Sequence, residues 1–338
     1  MFRSTLKKII LGANDALFNF IENIFHGYIT FHLRPKSSAE INTRADGLKT
    51  YPKVAIIIQG PLLGKDEFTL NTIRLYKKIF GNYRIILSIW EDEDDKTLNK
   101  IKKEGVEIIF NKKPETTGIQ HINYQIVSTS NAIKKAKEFG SEYVLKTRTD
   151  LRIYNPNSIE FLVNMLKTFP LNNGGKQNKR IIFPSLNSFK YRPYSVTDLI
   201  MFGDINDLED YWGTKLDTRK TPPANDLIGD WSHARLGEVY LSANYLESLG
   251  HKLLWTVADS WQAYADHFCI FDAQSLDLYW HKYARDREFR NLGYKLMKNN
   301  RELTFSEWLN MFAGLSNKEI VPEHILNNRF KETINGDL

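Results

Sequence analysis

Val54-Ala55-Ile56-Ile57-Ile58-Gln59-Gly60-Pro61 is an apolar run that breaks off at a polar residue and a Gly-Pro turn. Apolar residues in succession, without alternation, predict a strand covered on both faces, as in a parallel sheet flanked by helices. The chain on its C-terminal side repeats the theme. Residues 66–80 place Phe68, Ile73, Leu75, Tyr76 and Ile79 at helical spacing. Arg84-Ile85-Ile86-Leu87-Ser88-Ile89-Trp90 reads as a second strand, 94–104 as a short charged helix, and Val106-Glu107-Ile108-Ile109-Phe110 as a third strand. A long helix over about 118–139 carries Ile122, Ile126, Ile133 and Ala136 on one face, and Tyr143-Val144-Leu145-Lys146 is the fourth strand. This alternation predicts an α/β fold with a Rossmann-type, mostly parallel sheet flanked by helices. Further on, Ile181-Ile182-Phe183, Leu199-Ile200-Met201-Phe202 and Phe268-Cys269-Ile270-Phe271 read as strands, and 206–212 and 235–249 as helices.

Composition narrows the class. The chain is 42% hydrophobic and 25% charged, which is ordinary for a globular protein. Its one cysteine, Cys269, excludes an intramolecular disulfide and a cysteine-rich zinc site, and its apolar neighbours make it a buried small hydrophobe. The net charge of +6 is spread along the chain, with no Lys/Arg run dense enough for a nucleic-acid groove. No stretch reaches the roughly 20 apolar residues of a membrane span, and no signal-peptide cleavage site follows the basic N-terminus. Residues 4–27 predict an N-terminal amphipathic helix, with Leu6, Ile9, Ile10, Leu17, Phe18, Ile21 and Phe25 on its stripe and Lys7 and Lys8 beside it. Such a helix either lies on an anionic membrane or packs on its own domain. The expected organisation is therefore a helix and linker over 1–50, one catalytic domain over 51–300, and a helical tail over 301–338. The expected location is cytoplasmic, with peripheral contact on the inner membrane.

In open parallel sheets the ligand crevice lies beyond the carboxyl ends of the strands. Four segments fall there: Gln59-Gly60-Pro61, Glu91-Asp92-Glu93, Asn111-Lys112-Lys113 and Thr147 to Arg152. In the last, Asp150 stands between Arg148 and Arg152. A carboxylate is a hard oxygen ligand for Mg²⁺ or Mn²⁺, and arginine offers phosphate a planar fork. The three together suit a diphosphate; a surface Asp–Arg pair is the plainer alternative. Glu91 and Asp92 can accept hydrogen bonds from a ribose or a base edge. Gly60 allows close backbone approach. Asn123 and Gln125, in the first turns of the long helix, can reach a sugar. No G-x-G-x-x-G, Walker or nucleophile-elbow sequence is present.

The order of motifs resembles the WavE-type lipopolysaccharide core biosynthesis proteins, which are similar to GT-A glycosyltransferases. The residues that carry the likeness are Ile57-Ile58-Gln59-Gly60-Pro61, Asn123-Tyr124-Gln125-Ile126, Lys146-Thr147-Arg148-Thr149-Asp150-Leu151-Arg152, Ser195-Val196-Thr197-Asp198 and Gly237-Glu238-Val239-Tyr240-Leu241. The resemblance implies a GT-A-like fold and a nucleotide-sugar donor. It also implies a saccharide or lipid-linked saccharide acceptor from lipopolysaccharide core, O-antigen or capsule. It sets Asp150 where the family's metal-binding Asp-x-Asp motif stands. Here Arg148 and Arg152 occupy the positions two residues either side, so a single carboxylate remains and the arginines take over part of the metal's work. An inverting transferase needs a general base. The resemblance points to Glu238, at the start of a helix, with Asp198 second. His281 and Lys282 are the late basic pair expected near the diphosphate, and Asp150 with His281 would ligate Mn²⁺ or Mg²⁺. Another nucleotide-activated transferase of envelope polymers and a non-catalytic carbohydrate-binding protein are the other classes compatible with these residues.

Overall fold

The computed structural model describes residue 13 and residues 16–24, 34–41, 53–81, 83–93, 95–171, 175–220, 232–281 and 302–315. They fall into two units, 1–36 and 37–338. In the first, residues 16–24 are helical and expose Leu17 (52%), Phe20 (63%) and Ile24 (55%). The rest of the expected 4–27 helix, residue 13 apart, lies outside the described residues, as do residues 42–50 of the expected linker.

The second unit is built on the apolar runs. Strand β1 (Val54–Gln59) is buried at every position. Around it stand β2 (Arg84–Trp90), β3 (Glu107–Asn111), β4 (Tyr143–Arg148), β6 (Ile181–Pro184), β7 (Met201–Asp204) and β8 (Phe268–Phe271), in the order β3-β2-β1-β4-β7-β6-β8. β1 pairs in parallel with β2 and β4, with Ile57 opposite Ile86 and Lys146. β3 joins β2 and β8 joins β6 in the same sense. Only β7 among the described strands of this sheet runs against its neighbours, pairing antiparallel with β4 and β6. The expected mostly parallel α/β sheet is therefore what the chain forms. β3 and β8 stand at the two ends of this order, and Phe110 on β3 is 43% exposed.

Helix α1 (Phe68–Ile79) covers one face, where the Tyr76 hydroxyl accepts from the main-chain N–H of Ile153 at 3.1 Å. Helix α2 (Asp95–Lys102) follows β2. Helix α3 (Ile122–Glu138) covers the other face, and Ser88 on β2 donates to its Ser128 carbonyl at 2.7 Å. Both α1 and α3 follow a parallel strand, so their N-termini point at the rim where the strands end. A short strand β5 (Leu151–Ile153) leaves the rim and pairs antiparallel with β9 (Leu278–Trp280), with Leu151 opposite Trp280. Helices α4 (Ser158–Thr168), α5 (Ile205–Trp212), α6 (Glu238–Leu249) and α7 (Val257–His267) complete the layers.

The reversal of β7 brings a second stretch of chain to the rim. β7 enters the sheet from that side, so the segment before it, residues 190–198, lies where the parallel strands end. Residues 191–200 are all buried, although Arg192, Ser195, Thr197 and Asp198 are polar. Helix α8 (Phe305–Phe312) packs into the same unit. Its Trp308 is 0% exposed, donates to the Tyr264 carbonyl at 3.1 Å, and lies against Phe169, Phe305 and Phe312. The described start of the segment read as a tail is thus part of the core.

Candidate active site

At the rim, β1 and β4 close on each other. The Thr149 N–H donates to the Gln59 carbonyl at 3.0 Å, and the Gly60 N–H to the Ser88 carbonyl at 3.1 Å. Gly60 adopts a φ of 125°, and a Cβ there would stand 2.9 Å from the Thr149 hydroxyl oxygen. No residue with a side chain fits this approach without movement.

Asp150 sits just beyond β4. Its Oδ1 accepts from Arg148 Nε at 2.8 Å and its Oδ2 from Arg148 Nη2 at 3.1 Å, a bidentate fork. The Trp280 indole donates to Oδ2 at 3.2 Å, and the His281 N–H donates to the Asp150 carbonyl at 2.9 Å. Both members of the ion pair are largely covered, at 22% and 16% side-chain exposure. The cation and anion expected to share a ligand therefore hold each other. Burial draws the His281 imidazole below its usual range, and its ring lies 4.7 Å from that of Phe68. The described residues contain no group of three or more His, Cys, Asp or Glu placed to hold a metal ion. In this arrangement the Asp150 carboxylate is engaged by Arg148 and Trp280, and the His281 ring packs on Phe68.

Arg152 departs from expectation. It is 3% exposed and faces α1: Nε donates to Thr72 Oγ1 at 3.0 Å, Nη2 to the Phe68 carbonyl at 2.9 Å, and Nη1 to the Tyr154 hydroxyl at 3.1 Å. Its guanidinium lies 4.2 Å from the centre of the Phe68 ring. The turn at Thr149-Asp150 and the start of β5 send it under α1, so it is a structural arginine and not half of a phosphate clamp.

Asn123 is also committed internally. Its Nδ2 donates to the carbonyls of Thr116 (2.9 Å) and Asp217 (2.8 Å), and its Oδ1 accepts from the Asp217 N–H at 2.7 Å. It ties the start of α3 to residue 217 and leaves no group for a sugar. Gln125 has a buried Oε1 without a hydrogen-bond partner among the described residues. Glu91 is exposed. Asp92 is exposed and paired with Lys113 at 2.5 Å, a hydrogen bond that lowers its pKa. Lys282 lies outside the described residues.

Glu238 and Asp198 lie close enough for their charges to interact. Glu238 opens α6, after Gly237 at a φ of 54°. Its Oε1 accepts from Arg192 Nη1 at 3.1 Å and from the Ser195 hydroxyl at 2.8 Å. Burial raises its pKa, opposed by Arg192 and reinforced by the nearby charge of Asp198. Asp198 is 8% exposed, and its main-chain carbonyl accepts from Lys146 Nζ.

The turns before α3 and α6 touch. Gly118, Gln120 and His121 have φ of 66°, 54° and 62°, and a Cβ on Gly237 would run into Gln120 Oε1. Asp217 braces the pair: Oδ2 accepts from the Ile119 N–H at 3.2 Å, while Oδ1 holds Arg219 Nε at 2.8 Å. Arg219 Nη2 in turn donates to the Arg235 carbonyl at 2.9 Å. Sequence reading named Lys146 in the strand-end motif without giving it a role, and did not single out Arg192, Asp217 or Arg219. The one signal for Lys146 was a cation directly after the apolar Val144-Leu145.

Fold and rim define an α/β protein whose charged side chains gather where the strands end. The model of the WavE lipopolysaccharide synthesis family matches residues 54–245, from β1 into α6, and the chain belongs to that family. No curated protein matches it in sequence. Among solved structures it is similar to 4-diphosphocytidyl-2C-methyl-D-erythritol synthase from Anaerococcus prevotii, at 11% identity and a TM-score of 0.37, over 79% of this chain and 99% of that one. A cytidylyltransferase from Leptospira borgpetersenii gives 13%, 0.36, 80% and 100%. Core-mannan synthase A from Aspergillus fumigatus, in a Mn/GDP form, gives 9%, 0.34, 75% and 81%. Likeness at this level assigns no activity.

Proposed function

We propose that the protein is a glycosyltransferase of the GT-A kind that moves a sugar from a nucleotide donor to a saccharide or lipid-linked saccharide acceptor of the bacterial envelope. The observation that carries the reading is the gathering of charged groups where the strands end. Arg148–Asp150 stands at the end of β4, Asp198 lies in the segment before β7, and Glu238 opens α6 beside Arg192. In the reaction, the acceptor hydroxyl gives its proton to the Glu238 carboxylate as its oxygen bonds the anomeric carbon. The bond from that carbon to the diphosphate breaks, and the nucleoside diphosphate leaves with the electron pair. Arg148, exchanging Asp150 for phosphate oxygens, stabilises that charge. Asp150 then accepts from donor hydroxyls.

A thermal-shift screen with UDP-, GDP-, CMP- and dTDP-sugars, with and without Mn²⁺, tests the donor. One nucleotide class is expected to raise the melting temperature by linkage. Asp150→Ala is expected to lose that shift and all sugar transfer while keeping its fold. A screen without any shift, or full activity in Asp150→Ala, would remove the reading.

The exposed Leu17, Phe20 and Ile24 ridge supports a peripheral membrane contact for the first unit. Replacing all three by Ser is expected to abolish co-sedimentation with anionic vesicles and to leave transfer to a soluble acceptor unchanged.

A further inference from the structure

We infer that Tyr194 is a positioning residue: its side chain locks the turn whose two ends, Arg192 and Ser195, hold the Glu238 carboxylate. This rests on the glycosyl-transfer reading proposed for the protein, in which Glu238 takes the proton of the acceptor.

Arg192-Pro193-Tyr194-Ser195 is a tight turn, closed by the Ser195 N–H donating to the Arg192 carbonyl at 3.3 Å. Proline in the second place and a positive φ in the third are the marks of a type II turn, which ordinarily gives its third place to glycine or asparagine. Here Tyr194 holds that place, at a φ of 56°. Both ends of the turn reach one atom. Arg192 Nη1 and the Ser195 hydroxyl donate to Oε1 of Glu238, at 3.1 and 2.8 Å. The form of the turn therefore sets the spacing of the two donors that cradle this oxygen.

A tyrosine in left-handed backbone is strained and persists only where its surroundings over-determine it. Tyr194 is 0% exposed, and each of its polar groups is tied. Its N–H donates to Ser260 Oγ on α7 at 2.8 Å, and its carbonyl accepts from the Ser242 hydroxyl on α6. Ser242 stands about one helical turn beyond Glu238, so this bond joins the turn to the helix that carries the acid. The Tyr194 hydroxyl donates to Asp259 Oδ2 on α7 and accepts from the Trp255 N–H at 3.1 Å. The Trp255 ring meets the Tyr194 ring edge-on at 5.2 Å. Asp259 is braced in turn by the Leu254 N–H at 3.1 Å and by His251 Nε2 at 3.3 Å. Helix α7 also holds the backbone before the turn, where the Trp261 indole donates to the Lys190 carbonyl at 2.7 Å. Glycine would relieve the strain but supply none of the side-chain links.

Besides Arg192 and Ser195, Glu238 faces Asp198 from the segment before β7, Tyr211 from α5 and Tyr264 from α7. Loosening the turn weakens two hydrogen bonds that favour the charged carboxylate, so the group binds a proton at higher pH. A protonated Glu238 cannot take the proton of the acceptor.

Two variants separate the side-chain lock from the turn itself. Tyr194→Phe keeps the ring and loses the links to Asp259 and Trp255, whereas Tyr194→Gly suits the backbone and loses the side chain. The first readout needs no activity: ¹³C NMR titration of glutamate side-chain carboxyls in the ligand-free protein, with Glu238→Gln assigning the resonance. The Glu238 midpoint is expected to rise by about half a pH unit in Tyr194→Phe and about one in Tyr194→Gly. The acid limb of the kcat/KM profile should move up with it. In a Ser195→Ala background Tyr194→Phe should shift the midpoint less, because one of the donors it positions is gone. An unmoved midpoint and limb in folded Tyr194→Phe, or an equal shift in both backgrounds, would overturn the inference and leave Tyr194 a packing residue. If Tyr194→Gly fails to fold, Tyr194→Phe alone decides. A shifted midpoint in a protein that transfers no sugar from any donor would uphold the positioning and remove the glycosyl-transfer reading instead.

Discussion

Arg148 and Arg152 look equivalent in the sequence, each two residues from Asp150, yet the backbone sends them to different places. β4 ends at Arg148 and β5 begins at Leu151, so the alternation of side chains is reset at the turn between them. That reset cannot be read from residue types, which is why the acid and one arginine were legible at the rim and the other arginine was misplaced. Arg152→Ala is expected to cost about 3 kcal/mol in urea unfolding, through lost packing on Phe68 and lost hydrogen bonds to Thr72, Phe68 and Tyr154. Arg148→Ala should cost about 1 kcal/mol or less, as partly exposed pairs do, while abolishing donor binding. Lys146 carries a prediction of its own. Its pKa falls from 10.5 in the free side chain to about 7 in the fold. Between those values the unfolded chain binds more protons, so stability rises with pH across that window. Lys146→Met lacks this contribution. The wild-type minus variant difference in unfolding free energy is therefore expected to increase from the lower end of the window to the upper.

Elements buried on both faces announced themselves. β1, β2 and β4 are near-continuous apolar runs because helices cover them on either side, and α1 and α3 keep a clear helical period because each has one face on the sheet. The expected boundaries, 66–80 and 118–139, differ from Phe68–Ile79 and Ile122–Glu138 mainly at the N-termini. There, residues with positive φ at 66–67 and within 118–121 delay the helix. The segment 190–198 was not legible as interior. Its polar residues satisfy one another and the backbone, which lets them be buried while looking like a loop. Nor could strand direction be read for β7, since its four residues carry no mark of which way they run. The contact between the α3 and α6 turns yields a further test. Gly237 has φ 54° and ψ −129°, a conformation open essentially to glycine, with Gln120 against it. Gly237→Ala is expected to cost about 1–3 kcal/mol in thermal or urea unfolding. It should also lower kcat, because Glu238 moves with the turn.

At the scale of the molecule, the interior of the second unit extends into residues that the sequence set aside as a tail. Trp308 is 0% exposed among Phe169, Phe305 and Phe312. Trp308→Ala is expected to cost about 3–5 kcal/mol in urea unfolding. Truncation before Leu303 should give insoluble protein, whereas a separable tail would leave both measurements unchanged. The sheet of the second unit is legible from its first strand, because a parallel sheet writes its order into alternating blocks of strand and helix. The reversed strand has an inheritable consequence. The two sides of the rim come from separate stretches of chain, one ending at Asp150 and the other starting after it. Such a layout is modular: on the proposed glycosyl-transfer reading, residues 181–281 can vary with the acceptor while the stretch 54–150 keeps the donor. A chimera that takes 181–281 from another member of the family should accordingly change the product linkage and keep the nucleotide.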